Sequence, residues 1–264
     1  MSPRFAQLLI AVGFAVAAKL AVAEDDFRVR YLRPAVVPAP ADNASTPARV
    51  ELGKMLFFDP RLSGTEATSC ASCHNPSLSW SDPLAVARGE HHQPLGRRTP
   101  TILNAAFNTT QMWDGRFASL EEQAVGPMTS PVEMHGLPAV LEARLNAIPR
   151  YRELFRAAYG DPIVTVKLIA KAIAAFERTL ISGEAPFDRF VRGEDHAISA
   201  SAKRGFALFN TKAQCATCHS GWNFSDGSFH DIGLVSDDPG RGPIIGLDAL
   251  NHAFKTPTLR NIAQ

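Results

Sequence analysis

The sequence has no excess of charge of either sign, which narrows the range of partners. Its 264 residues include 27 Lys and Arg against 26 Asp and Glu. A nucleic-acid-binding protein needs a basic surface to neutralise phosphates, and no block of like charge here forms a basic patch or an acidic tail. The composition therefore predicts no nucleic-acid partner. With 45% hydrophobic residues, a chain of this length can bury one large core or two smaller ones.

Long apolar runs are absent after the N-terminus, which argues against a membrane span in the mature chain. The one extended run, residues 5–18, follows Arg4 and precedes Lys19 and the small residues AVA at positions 21–23. A charged start, an apolar stretch of this length and a small-x-small site are typical of a secretory signal peptide rather than a membrane anchor. We therefore predict a signal peptide at residues 1–23, export to the periplasm, and no membrane span after cleavage.

Cysteine is scarce, and all four copies stand in one kind of motif, CASCH at residues 70–74 and CATCH at residues 215–219. Disulfides across such short loops would add little stability and would not require the histidines. A thioredoxin-type dithiol needs one CxxC in a βαβ context, and a four-cysteine zinc site rarely joins pairs so far apart in sequence. Disulfides, a redox dithiol and zinc each leave part of the pattern unexplained.

Covalent haem c accounts for every member of both motifs. The two thiols of a CxxCH sequence add to the haem vinyl groups, and the adjacent histidine binds the iron from the proximal side. Cytochrome c assembly also requires export, which agrees with the predicted signal peptide. We therefore predict two covalently bound haems. The predicted attachment residues and proximal iron ligands are Cys70, Cys73, His74, Cys215, Cys218 and His219.

Helical patterns dominate the rest of the chain, and strand signals are scarce. Helices are predicted over residues 47–57, 119–125, 137–148, 163–181 and 199–209, with a long loop over 75–100. The second helix is expected to end at Gly126-Pro127, and the apolar stripe of the fourth is expected to pack between domains. Each CxxCH motif follows a helix that contains Gly and Phe, which indicates a divergent repeat. The predicted fold is all-α, with two cytochrome c-like haem domains at residues 24–181 and 182–264.

Six motifs follow one another from about Leu52 to the end of the chain. They are LGKMLFFDPRLSGTEATSCASCH, RRTPTILNAAFN, MWDGRFASLEEQAVGP, SPVEMHG, CATCH and FKTPTLRN. In type and order they resemble the bacterial di-haem cytochrome c peroxidase superfamily, which includes the di-haem enzyme that matures methylamine dehydrogenase. Relatives continue beyond the last motif with a segment that carries the distal ligand of the second haem. The resemblance therefore implies that the second haem domain is incomplete in this sequence.

The resemblance also implies roles for three further residues. Trp113 matches a tryptophan that lies between the two haems and helps electrons pass. Gln123 and Glu133 match the distal polar pair of the N-terminal, peroxide-reacting haem. A glutamate there can carry a proton from the inner to the outer oxygen of peroxide, and an amide can hold peroxide without titrating. Spacing alone would favour a surface position for Gln123 and Glu133 and a core position for Trp113.

The sequence departs from the family at two ligand positions. His91 and His92 stand near a histidine that caps the resting N-terminal haem in peroxidases. The surrounding NPSLSWSDPLAVARG, however, is similar to the maturation branch, in which that haem stays open. Either histidine is therefore a candidate distal ligand. Relatives bind calcium through an asparagine before x-Pro-Thr, whereas this chain has Arg98, whose guanidinium cannot ligate a cation, so calcium is in doubt.

The resemblance implies an oxidoreductase that reduces hydrogen peroxide at the His74 haem. Electrons would come through the His219 haem from a small periplasmic cytochrome c or cupredoxin. Two alternatives stay open. One is a maturation-type oxidase that modifies a Trp or Tyr of a partner protein, and the other is a non-catalytic di-haem electron carrier. The oligomeric state is open as well, a homodimer included.

Overall fold

The computed structural model describes residues 27–263, so the predicted signal peptide lies outside the described residues. The chain forms two compact units. The first, here called the His74 unit, comprises residues 36–182, 227–255 and 261–263, and the second, the His219 unit, comprises residues 27–35, 183–226 and 256–260. Because residues 227–255 group with the first CxxCH motif, the units are not continuous in sequence. A division into haem domains after residue 181 stays a prediction.

Helices dominate the described residues, as expected for an all-α fold. In chain order they are α1 (Pro47–Phe57), α2 (Cys70–Cys73), α3 (Leu120–Thr129), α4 (Pro138–Asn146), α5 (Pro149–Tyr159), α6 (Val166–Glu177), α7 (Pro186–Val191), α8 (Ala200–Asn210) and α9 (Gly242–Ile245). Two short strands, β1 (Phe229–His230) and β2 (Phe254–Lys255), pair antiparallel, with Phe229 opposite Lys255. Within residues 27–263, no helix has both the length and the apolar character needed to cross a membrane.

The core of the His74 unit is built around α6. This helix begins after Thr165, whose side chain accepts a hydrogen bond from the Leu168 amide, and it packs against α1 and α3. Its apolar stripe, which includes Ile169 and Ile173, lies in the core of this unit, so the expectation that it packs between domains is wrong. Burial of each such side chain contributes about 1.5–3 kcal/mol. At Gly53, a Cβ atom would lie 1.9 Å from the Ala172 carbonyl oxygen, so only glycine permits this approach of α1 to α6.

The predicted end of α3 at Gly126-Pro127 is wrong, because the helix continues to Thr129. Pro127 lacks the N–H that would bond to the Gln123 carbonyl, and its ring crowds that carbonyl, but its fixed φ is compatible with a helix. The Thr129 hydroxyl donates to the Val125 carbonyl at 2.9 Å, and this bond supports the turn around the proline. One lost hydrogen bond is therefore tolerated.

The helix predictions elsewhere are confirmed in part. The predicted bounds of α1 match those observed, whereas α6 is shorter than residues 163–181. Helices α5 and α7 are absent from the predictions. Each has proline near its start, Pro149 and Pro186, where the missing N–H is harmless and the ring favours helical φ.

The His219 unit has a small aromatic core around Tyr31. Its ring packs against Phe206 and Phe224, and its hydroxyl donates to the Asn210 side chain at 2.8 Å. Ser199 caps α8 by accepting from the Ala202 amide, and α8 leads directly to the second CxxCH motif. The aromatic core thus fixes the helix that precedes the second haem-attachment sequence.

Candidate haem sites

The first CxxCH motif forms the single helical turn α2. The His74 amide donates to the Cys70 carbonyl at 2.9 Å, and His74 Nδ1 lies 3.1 Å from the Trp80 carbonyl oxygen. A carbonyl can only accept, so Nδ1 carries the proton and Nε2 keeps its lone pair. Burial lowers the pKa of His74, which also favours the neutral imidazole. This is the form and the tautomer that bind iron through Nε2.

The second motif repeats this arrangement. The His219 amide donates to the Cys215 carbonyl at 2.9 Å, and His219 Nδ1 lies 2.9 Å from the Phe224 carbonyl oxygen. Phe224 belongs to the aromatic core around Tyr31. The similarity of the two motifs therefore extends beyond the pentapeptides, because a carbonyl shortly downstream orients each proximal histidine.

The four cysteines are free and partly buried, as covalent haem attachment requires. Burial raises the pKa of Cys70 to about 12, and burial also raises the pKa of Cys73. Each pair of free thiols is followed directly by a histidine, which is the set of groups that covalent haem attachment uses. The residues present therefore fit two covalent haems.

A loop at residues 88–90 joins the first motif to Glu133. The Cys73 sulfur lies 3.6 Å from the Arg88 carbonyl oxygen, and the Glu90 amide donates to the Glu133 carbonyl at 2.7 Å. Glu90 is itself buried and accepts hydrogen bonds from the Thr65 hydroxyl and amide. After burial and Asp82, the charge of Glu133 is a further cause of the raised pKa of Cys73. The structure thus brings Cys73 and Glu133 together.

Glu133 stands in a tight turn after α3 and lines a cleft. The Ser130 carbonyl accepts from the amides of Glu133 at 3.2 Å and His135 at 2.8 Å, which fixes this turn. The cleft has a volume of about 420 Å³ and opens to solvent. Its lining residues are Leu95, Arg116, Phe117, Gly126, Ser130, Val132 and Glu133. A small polar molecule such as a peroxide has room to reach Glu133 through this cleft.

Trp113 belongs to a different segment, the turn at residues 111–117, and Gln123 lies beside this turn. The Gln123 side-chain amide lies 3.9 Å from the Met112 sulfur, and the Trp113 indole N–H donates to the Arg98 carbonyl at 2.8 Å. Over the described residues, no hydrogen bond joins Gln123 to Glu133. Of the predicted distal pair, Glu133 therefore lies at the cleft and Gln123 lies beside the Trp113 turn.

The two candidate distal histidines lie in the loop that holds Glu133. Both His91 and His92 are exposed, and both have left-handed backbone conformations, with φ of 55° and 59°. A ligand role for either one stays a prediction. Arg98, which stands at the family's calcium position, donates from its guanidinium to the Asp82 carbonyl at 3.3 Å.

Sequence reasoning missed the charged residues that surround Trp113. Asp114 is 1% exposed and pairs with Arg97, which also pairs with Asp238. A signal was available, since WDGR places an aspartate and an arginine just after the tryptophan and RRTP contains two more arginines. A buried charge requires a partner, but the sequence does not say which one.

Comparison with known proteins finds a family model and several relatives that match most of this chain or more than half of it. Residues 47–196 match the family model for di-haem cytochrome c peroxidase. The chain is 52% identical over 239 residues to the methylamine utilization protein MauG of Methylorubrum extorquens, across 89% of this chain and 68% of that protein. It is 39% identical over 225 residues to the cytochrome c551 peroxidase of Pseudomonas aeruginosa, across 81% of this chain and 64% of that enzyme.

The fold has a counterpart among solved structures. A MauG-like protein associated with microbial copper homeostasis superposes with a TM-score of 0.80 at 30% sequence identity. The superposition covers 89% of this chain and 74% of that protein. Sequence and fold therefore point to the same set of relatives.

Proposed function

This chain belongs to the di-haem cytochrome c peroxidase family, and from that premise we propose that it reduces hydrogen peroxide with electrons from a small redox protein. One peroxide takes up two electrons and two protons and yields two waters. The family carries two covalent c-type haems, and CASCH at residues 70–74 and CATCH at residues 215–219 would hold them. When bound, haem supplies an iron that can bind peroxide and exchange electrons.

The observation that carries the proposal is the loop at residues 88–90, which holds both Cys73 and Glu133. It supports a catalytic position for the Glu133 carboxylate near the first haem-attachment site, at a cleft open to solvent. In this role the Glu133 carboxylate would take a proton from one peroxide oxygen and deliver it to the other, which leaves as water when the O–O bond breaks; the two electrons would come from the bound haem. The buried Glu90 fixes the backbone of Glu133 and so limits the movement of its side chain.

Other residues of the chain support this reaction. His74 and His219 each donate Nδ1–H to a carbonyl and so present Nε2 as the iron ligand. The family resemblance predicts that the Gln123 amide donates a hydrogen bond to peroxide, although in the structure this amide lies beside the Met112 sulfur rather than in the cleft. We further propose that Trp113 passes electrons toward the peroxide-reacting site and that the protein works in the periplasm, where small cytochromes c or cupredoxins are the donors.

Replacement of Glu133 tests the proposal. In the protein with both haems attached, Glu133→Gln should slow the reaction with peroxide by about 10², because a positioned acid–base group contributes that much. The matched control is Glu122→Gln, at an exposed position on α3, where the amide oxygen still accepts from the Ala118 amide. Stopped-flow absorbance after mixing with peroxide gives the rate. Equal rates for Glu133→Gln and the wild type would refute the role of Glu133.

A second candidate function is supported by the similarity to MauG, which is greater than the similarity to the P. aeruginosa peroxidase. In this case the chain uses peroxide to oxidise a Trp or Tyr of a partner protein rather than a small redox donor. Rapid peroxide-dependent oxidation of a reduced small cytochrome c would favour the peroxidase function. Slow oxidation of that donor, together with peroxide-dependent modification of an added partner protein, would favour the protein-modifying oxidase.

A further inference from the structure

The turn that carries Trp113 is attached to a distant part of the chain. The Lys255 amide of β2 donates to the Trp113 carbonyl at 2.8 Å, and the Lys255 ammonium donates to the Thr110 carbonyl at 2.7 Å. On the other side, the Trp113 indole N–H donates to the Arg98 carbonyl. Both the backbone and the ring of Trp113 are therefore held by neighbours within the His74 unit.

The next residue, Asp114, is bound by a bridging arginine. Arg97 Nη1 donates to Asp114 Oδ2 at 2.6 Å, while Arg97 Nε and Nη2 donate to the two carboxylate oxygens of Asp238, each at 2.7 Å. The guanidinium also lies 5.3 Å from the centre of the Phe254 ring. One side chain thus ties the Trp113 turn to residues 238–254 through three charge-assisted hydrogen bonds.

A second arginine holds the same turn by its backbone. Arg241 Nη1 donates to the carbonyls of Asp114 at 2.7 Å and Gly115 at 3.1 Å, and its guanidinium lies 3.9 Å from the centre of the Phe229 ring. Gly115 has φ of +67°, and a Cβ atom there would lie 2.3 Å from the Phe229 ring. The turn is therefore closely packed against Phe229 on this side.

We propose that Arg97 is a positioning residue that fixes the Trp113 ring by bridging Asp114 and Asp238. The inference rests on the proposed role of Trp113 in passing electrons. Loss of Arg97 leaves the Asp114 carboxylate, 1% exposed, with Arg116 as its one ion-pair partner among residues 27–263, and this buried charge draws the turn toward solvent. Electron transfer slows as the distance between the participating groups grows, so a displaced Trp113 ring lowers its rate.

Arg116 provides a matched control. It also donates to Asp114 Oδ2, at 3.1 Å, but its side chain is exposed, and its other side-chain contact is a ring contact with Phe117. Arg97→Gln and Arg116→Gln therefore remove the same charge beside the same carboxylate. Only Arg97→Gln breaks the bridge to Asp238.

The first measurement is independent of turnover. Backbone hydrogen–deuterium exchange in the protein with both haems attached, followed by mass spectrometry, should accelerate at least about tenfold at residues 110–117 and 250–256 in Arg97→Gln. In Arg116→Gln both segments should exchange at the wild-type rate. Asp238→Asn, which breaks the same bridge from its other end, should reproduce the result if Arg97→Gln does not fold. Unchanged exchange in both bridge variants would overturn the inference.

The second measurement is the rate of internal electron transfer after peroxide oxidation, read by stopped-flow absorbance. Arg97→Gln should lower this rate severalfold, and Asp238→Asn, which breaks the same bridge from its other end, should lower it to a similar extent. If Arg97 acts through Trp113, the double variant Arg97→Gln/Trp113→Phe should be no slower than Trp113→Phe alone. Additive losses would show that Arg97 does not act through the tryptophan and would overturn the inference. A full rate in Trp113→Phe would overturn it too, whereas the peroxide reaction tested with Glu133→Gln would stand.

Discussion

Replacement of Glu177 by glutamine tests the physical account of the His74 unit most directly. Glu177 is the last residue of α6, 3% exposed, and its Oε2 atom has no hydrogen-bond partner among the described residues. The adjacent Arg178 does not neutralise it by pairing, because both of its terminal nitrogens donate to Glu121, at 2.9 and 3.0 Å. Burial raises the pKa of Glu177 from 4.5 to about 8; the charge of Arg178 opposes this rise, and the charge of Glu121 adds to it. The charge of Glu177 is also one cause of the raised pKa of Cys70, so the carboxyl lies near the first attachment site.

The raised pKa makes stability fall as pH rises. In the unfolded chain the carboxyl ionises near pH 4.5, whereas in the folded protein it stays protonated to about pH 8. The free energy of folding that is lost because of Glu177 therefore begins to grow near pH 4.5, increases up to pH 8 and is then constant. It amounts to about 1 kcal/mol at pH 5 and about 3 kcal/mol at pH 7. Glutamine has nearly the same shape and does not ionise, so Glu177→Gln should remove this pH-dependent part.

The assay is urea unfolding of the protein with both haems attached, followed by far-UV circular dichroism at pH 5 and pH 7. The unfolding free energy of Glu177→Gln minus that of the wild type should be about 2 kcal/mol larger at pH 7 than at pH 5. Any effect of the glutamine amide on the unfolding free energy that does not depend on pH cancels in this comparison. The control Glu153→Gln removes an exposed carboxylate that pairs with Arg150 at 3.3 Å, and it should change the free energy by less than about 0.5 kcal/mol. The same difference from the wild type at both pH values would refute the assigned burial of Glu177.

Three further predictions concern the haem sites and the core of the His219 unit. The pyridine haemochrome assay should give two haems per chain, and a ratio near one would contradict attachment at both CxxCH motifs. If His91 or His92 is the distal ligand, His91→Ala or His92→Ala should remove a low-spin signal from the ferric electron paramagnetic resonance spectrum; an unchanged spectrum in both variants would show that neither histidine binds iron. Tyr31→Phe should lower the unfolding free energy by about 1 kcal/mol in urea, since Asn210 Oδ1 loses its hydrogen-bond donor, and no loss would show that water replaces the hydroxyl.

The sequence by itself determined the features that depend on neighbouring residues. The two CxxCH motifs predict haem attachment because two thiols and a histidine must lie within one turn, and both motifs have that local geometry in the structure. The bounds of α1 were predictable because proline at its start and Asp59-Pro60 after its end act locally. Where a local signal was misjudged, as at Pro127, the reason was also local, since a threonine two residues later supports the turn.

Tertiary structure alone decided which distant residues meet. The loop at residues 88–90 carries no signal that it holds Cys73 and Glu133 together, because its contacts to both are made through backbone carbonyl and amide groups that every residue has. Arg97 has several aspartates within the chain as equal candidates for a partner, and only the fold selects Asp114 and Asp238. Glu177 likewise resembles any glutamate at the end of a helix in the sequence. Its burial depends on α1 and α3 packing around α6, which is a property of the assembled core and not of the residues beside it.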